Sequence, residues 1–324
     1  EYFQSFQGAH KAMLYEHIPW GIVLDESATL ETLQRFPVVV LPNVGIVSEK
    51  ERALLLRYVE LGGNLIVTGF GGCYDHQGKL LESTSLEALI GARFKGKLDS
   101  MDNWVRFPGA QASPSNRQLA PEHRMDWPFL VKGPAGVFEP VTAAPVGELL
   151  KPYRTTRQKE GREGTTWPMS AEAPVGPAIL LNPIGKGRVL TFTCSPDYAT
   201  ASEHHIVESR KLLANAVRFL HPSPRVEIIA PVSVEAVVTD DPSSRTLRVH
   251  LMAYNSPPQT TPAERRPYVL PAVLEDTPMY RATIKTAEPI KRATAFNHST
   301  RIAREKRRVQ LMVEDIHEVI SLQY

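Results

Sequence analysis

Between Phe6 and Gly91 the spacing of apolar residues changes repeatedly, and each change marks a new element. Phe6, Ala9, Met13 and Leu14 share one helical face, which predicts an amphipathic first helix. The run IPWGIVLDE, Ile18 to Glu26, reads as a short buried strand ending in acids. PVVVLPNV, Pro37 to Val44, is continuously apolar and rich in valine, as strands covered on both faces of a parallel sheet are. Ser48 stands three residues before Glu51, a capping box in which each side chain takes the other residue's free backbone N–H. The helix this starts carries Leu54, Tyr58 and Leu61 and stops at Gly62-Gly63. NLIVTGF is the next buried strand, and STSLEALIG a short helix capped by Gly91. The order α-β-β-α-β-α predicts an α/β fold, a three-layer and mostly parallel sheet.

Met101 to Met125 is aperiodic and rich in Pro, Gln, Ser and Asn, and reads as a long excursion from the sheet. Phe129–Val131, Val137–Glu139 and Gly147–Leu150 fit short strands, and RTTRQKEGREGTTW a polar loop. AILLNPIGKGRVLTFT predicts a hairpin turning at Gly185-Lys186-Gly187. A long helix is expected from Ser202, with Ile206, Leu213, Val217 and Leu220 on one face. Beyond Pro224 the texture changes to short alternating runs: VSVEAVVT, TLRVHLMAY, YRATIKT, KRATAFN, RVQLMV and HEVISLQY. They predict a small antiparallel β-sandwich. The expected division is therefore an α/β domain over 1–222, with a long insertion near 100–175, and a β-sandwich domain over 223–324.

Composition narrows the functional classes. With 324 residues, 42% hydrophobic and 22% charged, the chain has the make-up of a soluble globular protein long enough for two domains. A net charge of +2 gives no case for nucleic acid, which needs a concentrated basic face. The basic run RIAREKRRVQ reads as a solvated hairpin loop. No apolar stretch has the length of a membrane span, so no membrane partner is expected. Two cysteines, Cys73 and Cys194, make neither a disulfide framework nor a zinc pattern. No cofactor and no metal is expected. The sequon Asn297-His298-Ser299 matters only in a eukaryotic secreted protein. The chain starts without Met and in mid-helix, which leads us to expect a region of a longer polypeptide. Its compartment, cytoplasmic or exported, stays open.

The densest candidate chemistry is NLIVTGFGGCYDHQG, Asn64 to Gly78. A dinucleotide fingerprint would need a third glycine where Tyr74 stands, and no Gly-Lys-Ser/Thr ending makes a P-loop. A nucleophile elbow puts Ser or Cys directly after a strand. Here that position is Phe70, and Cys73 comes three residues late. His204 and His205, the bases a triad would need, are adjacent in a helical turn and cannot share a face. Cys73, Asp75 and His76 remain the candidate site residues, with Asp75 and His76 lining a surface cleft at the sheet's carboxyl edge, although their spacing is no recognised zinc pattern. Trp104, Trp127 and Trp167, in irregular segments, suit a sugar-stacking or subunit surface, or packing beneath loops. No carboxylate pair stands out as a glycosidase acid and base.

KAMLYEHIPWGIVLDE, PVVVLPNVGIVSEKERALLLRYVELGGNLIVTG, GKGRVLTF and LLANAVRFL together resemble the trimerisation domain of β-galactosidases, over about residues 6–95 and 178–220. The resemblance implies a fold similar to class I glutamine amidotransferases, a flavodoxin-like sheet. In such enzymes the domain follows a catalytic barrel and precedes a small β-domain. Amidotransferases carry a Cys at the elbow, where Phe70 stands, and a His-x-Glu pair after a late strand, where Cys194-Ser195-Pro196-Asp197 stands. The resemblance thus implies a non-catalytic accessory and oligomerisation region of a bacterial glycoside hydrolase. Its implied partners are further copies of itself, up to a trimer, the barrel of the same polypeptide, and carbohydrate. The alternatives are a stand-alone hydrolase using Cys73 or Cys194, and a carbohydrate-binding structural module.

Overall fold

The computed structural model describes residues 1–109, 113–121, 127–152, 173–202, 207–253 and 279–324. These form two compact units: Glu1–Ala12 with Ile22–Pro222, and Met13–Gly21 with Ser223–Tyr324. The architecture is mixed α/β, with a seven-stranded sheet and further antiparallel sheets.

The chain opens with α1 (Tyr2–Tyr15), of which the part up to Ala12 belongs to the first unit, followed by a 3-10 turn (Asp25–Ser27), α2 (Leu30–Gln34) and β1 (Val38–Leu41). There follow α3 (Glu49–Glu60), β2 (Asn64–Val67), α4 (Glu87–Ile90), β3 (Ala92–Lys97), β4 (Asp102–Arg106) and α5 (Pro114–Leu119). Then come β5 (Phe129–Lys132), β6 (Gly136–Pro140), β7 (Ala144–Leu150), β8 (Gly176–Ile184), β9 (Gly187–Phe192), α6 (Pro196–Ala201) and α7 (Val207–Leu220). The large sheet runs β1-β2-β9-β8-β7-β4-β5, and β3 pairs separately with β6.

Ser48 caps α3 as expected: its N–H donates to Glu51 at 2.6 Å, and the Glu51 N–H donates to its hydroxyl at 3.3 Å. The buried face of α3 is Leu55, Tyr58 and Val59, beside a more exposed Leu61. Gly91 caps α4 in the left-handed conformation, at φ 71°. The β8–β9 hairpin turns at Gly185-Lys186.

Four expectations need correction. Ile18–Leu24 forms no strand, and Trp20, Ile22 and Leu24 are exposed, because an apolar run needs a sheet beside it to become a strand. The sheet is not mostly parallel: β1–β2 and β2–β9 are parallel, but β9–β8, β8–β7, β7–β4 and β4–β5 are antiparallel. β1 is accordingly a half-buried edge strand, and β2 is the buried one. The excursion expected over Met101–Met125 is placed too early, since its first part is β4, which pairs with β5 and β7. Its inward positions are Asn103 and Val105. The buried Asn103 amide donates to Ser100 O and Gly133 O, so a polar residue stands where alternation calls for an apolar one. Finally, the buried side of α1 is Ser5, Gly8, Ala12 and Met13, so of the expected face Phe6, Ala9, Met13 and Leu14 only Met13 is buried. A Cβ on Gly8 would lie 1.7 Å from the carbonyl oxygen of Asp197, so the helix backbone rests directly on that residue.

The expected polar loop at Arg154–Trp167 and the expected helical residue Ile206 lie outside the described residues. Helix α7 buries Leu212, Leu213, Ala216 and Leu220.

The second unit holds β10 (Val226–Ile229), β11 (Val234–Asp241), β12 (Thr246–Ala253), β13 (Tyr280–Thr286), β14 (Arg292–Ala295), β15 (Arg301–Arg304), β16 (Arg308–Val313) and β17 (His317–Gln323). They form two four-stranded antiparallel sheets, β10-β13-β16-β15 and β11-β12-β17-β14. Alternate residues of both sheets, among them Ile284, Val309, Leu251 and Ile320, belong to one hydrophobic core. The basic run is the β15–β16 hairpin itself, strands included. One inward position of β17 is Glu318, whose carboxylate accepts the N–H groups of Phe296, Asn297 and Val319 and the Thr300 hydroxyl. The sequon residue Asn297 spends its amide on Asp315 Oδ2 and His317 O.

Candidate functional site

Strands β1, β2 and β9 run parallel, so their carboxyl ends meet at one edge of the sheet. Open α/β sheets bind ligands at such edges. The loops here are Asn43–Val47 after β1, Thr68–Ser85 after β2 and Thr193–Ser195 after β9.

Gly69 and Gly72, at φ 59° and 66°, turn the chain tightly after β2. The residue between the first two glycines, Phe70, points into the core and is only 3% exposed. Its ring meets Tyr74 and Phe94 edge-on, at centroid distances of 6.1 and 6.3 Å. Its N–H donates to Asn43 Oδ1 at 2.9 Å. Asn43, itself at φ 50°, donates its own N–H to the Thr68 hydroxyl. Where an elbow would present a nucleophile to solvent, this turn plugs the sheet edge with a phenyl ring.

Cys73 is fully buried, and its Sγ sits 3.6 Å from Gly71 O. Burial pushes its thiol up to about 12, with a hydrogen bond to Thr84 opposing. Asp75 is near the surface and accepts the N–H groups of Gln77 and Lys79, each at 2.9 Å. Those backbone bonds, led by Lys79, hold its carboxyl below the usual range. His76 is exposed on the same turn. The three candidates are therefore divided between the core and a surface turn that Asp75 closes on itself. Among the described residues no three His, Cys, Asp or Glu side chains come close enough to hold a metal ion. His204, His205 and Trp167 lie outside the described residues. Trp104 is part of β4, and Trp127 is 74% exposed.

The residue that reasoning from sequence missed is Asp197. It is fully buried at the first turn of α6, behind the carboxyl ends of β2 and β9. The Thr68 hydroxyl donates to its Oδ2 at 2.6 Å, and the Tyr198 N–H to its Oδ1 at 2.9 Å. Burial pushes the carboxyl up to about 7, with those hydrogen bonds opposing. Cys194, three residues earlier, is buried too, and burial and the nearby Asp197 charge push its thiol up to about 12. Ser195 donates to Pro134 O at 2.8 Å. The buried chain Asn43–Thr68–Asp197 thus ties β1, β2 and α6 together. What is left open to solvent at this edge is a shallow depression of about 350 Å³, bounded by Asn43–Ile46, Tyr74, Gly78, Glu1 and Tyr2. Both thiols are buried and raised, whereas thiolate chemistry needs a lowered pKa and access.

Much of the carboxyl edge is thus occupied by the unit's own side chains, Phe70 and Asp197 among them. Residues 1–107 match the β-galactosidase trimerisation domain. The matched segment spans α1 to β4 and includes the Phe70 turn. No curated protein matches the chain. Among solved structures, α-L-fucosidase isoenzyme 2 from Paenibacillus thiaminolyticus is similar over 99% of this chain and 45% of its own, with a TM-score of 0.71 at 17% identity. A β-galactosidase from Bacillus circulans sp. alkalophilus is similar over 100% of this chain and 38% of its own, with a TM-score of 0.61 at 14% identity. A GH42 β-galactosidase from G. stearothermophilus is similar over 99% and 36%, with a TM-score of 0.58 at 15% identity. At these identities the likeness is one of fold. The chain spans less than half the length of each of these proteins.

The state of the thiols is directly testable. In native protein at mildly alkaline pH, neither Cys73 nor Cys194 is expected to react with a disulfide reagent, and both should titrate once denaturant is added. A thiol that reacts within seconds in the native state contradicts the buried, unactivated environment.

Proposed function

We propose that this chain is a non-catalytic accessory and oligomerisation region of a glycoside hydrolase of β-galactosidase type, whose catalytic domain belongs to the same polypeptide. The observation that carries the reading is the match of residues 1–107 to the trimerisation domain. The Phe70 plug supports it, because it fills the turn where related folds do chemistry. The similarity of nearly the whole chain to only part of several glycosidase structures supports a region with further domains around it. Within this reading the division is a flavodoxin-like, amidotransferase-like α/β domain over 1–222 and a β-sandwich over 223–324. The paired four-stranded sheets around one core favour the sandwich. Cys73, Asp75 and His76 have no catalytic role in it, and exposed Trp127 is available for carbohydrate or subunit contact.

The test is the mass in solution. Sedimentation or light scattering across a wide concentration range should show self-association, with a trimer as the limiting species. A strict monomer at every concentration removes the assembly role.

A further inference from the structure

We propose that His250 and His317 form a two-imidazole binding site for a late first-row divalent metal ion such as Ni²⁺, Cu²⁺ or Zn²⁺. The two residues lie on β12 and β17, which pair antiparallel in the register Met252↔His317 and His250↔Val319. That register makes them diagonal neighbours, and diagonal pairs on one sheet face lie within reach of long side chains. Val249 and Leu251 on either side of His250, and Glu318 and Ile320 at alternate positions of β17, are buried, so the histidines occupy the opposite, outward face. His317 is exposed and His250 half-buried, which leaves the pair open to ions in solution.

The rings are nearly parallel, 18° apart, with centroids at 5.5 Å. His250 Nδ1 and His317 Nε2 face each other at 3.3 Å. With metal–nitrogen bonds of about 2.1 Å, that separation corresponds to an N–metal–N angle of about 105°, close to tetrahedral. A small rotation of each ring would aim both lone pairs at one ion. The scaffold beneath is stiff, because β12 and β17 are both central strands of their sheet. Met252 shares the face and stands directly opposite His317. Imidazole suits Ni²⁺, Cu²⁺ and Zn²⁺, whereas Mg²⁺ and Ca²⁺ need oxygen ligands. With no third His, Cys, Asp or Glu in reach among the described residues, water completes the coordination.

Calorimetric titration of the tag-free chain with Ni²⁺ and with Zn²⁺ at neutral pH tests this. One ion per chain should bind, and MgCl₂ should show nothing. His250→Gln and His317→Gln should each weaken binding by about tenfold or more, since either loss leaves one ligand of two. Both positions are at the surface, so the variants should keep the wild-type circular dichroism spectrum. With Cu²⁺, electron paramagnetic resonance should show imidazole nitrogen coupling that both substitutions diminish. Absence of a one-ion site in the wild-type chain overturns the proposal. So does binding that survives both substitutions, because other histidines then account for it.

Discussion

Replacing Phe70 by alanine is expected to destabilise the protein by about 3–5 kcal/mol, the usual range for emptying a buried aromatic site. The ring is almost wholly enclosed and sits between Tyr74 and Phe94, with Gly136 close behind: a Cβ there would lie 3.5 Å from the phenyl edge. These neighbours belong to loops and strands held by their own hydrogen bonds, so the site collapses poorly and most of the cavity persists. Urea unfolding should show a lower midpoint with little change in slope. A loss below about 1 kcal/mol would mean that the ring is not the plug described. A companion variant separates packing from chemistry. Phe70→Cys puts a thiol at the position of an elbow nucleophile, yet the side chain there points inward. It should stay unreactive towards thiol reagents in the native protein, whereas a true elbow would expose it.

Asp197 is expected to give the largest pH effect. An unfolded aspartate titrates near 3.9. In the folded protein burial raises the carboxyl to about 7. Below pH 4 both states are protonated and the group is neutral with respect to stability. Between pH 4 and 7 the native state holds a proton that the unfolded state has released, so stability falls as pH rises through that window. Above pH 7 both states are ionised and the full loss, on the order of 4 kcal/mol, has accrued. Asp197→Asn removes the titration while leaving an oxygen to accept the Tyr198 N–H. Its stability relative to wild type should therefore improve steadily from pH 4 to pH 8. Unfolding curves for the two proteins that stay parallel across this range would show that Asp197 does not titrate as its burial demands.

Local signals in the chain were read well where a few adjacent residues suffice. The α3 capping box is complete within Ser48 to Glu51, and Gly91 ends α4 as a glycine cap should. The displacement of Cys73 from the elbow position was also visible, because it is a matter of counting from the end of β2. What could not be seen depends on distant partners. Ile18–Leu24 has the composition of a buried strand, and only the tertiary fold decides that no strand pairs with it. β4 was concealed by Asn103, a polar residue made tolerable inside by carbonyls at Ser100 and Gly133. Asp197 looked merely like a mismatch to a family pattern. Its significance comes from Thr68, 129 residues earlier, and from the backbone of α1 lying across it. Glu318 is a similar case: an acid at a strand's inward position looks like an error until four donors converge on it.

The order of strands has a practical consequence. β2 is flanked by β1 on one side and by β9 on the other, with Asn64 opposite Arg188 and Val67 opposite Thr191. The stretch matching the trimerisation domain ends at residue 107, well before β9. A truncated polypeptide cut at that point would leave β2 with a bare row of amide and carbonyl groups and an uncovered Leu65-Ile66-Val67 core. Such an edge is a template for aggregation. The homology border and the folding border are therefore different places, and during synthesis the nascent sheet must wait for the β8–β9 hairpin before β2 is sealed on its second side.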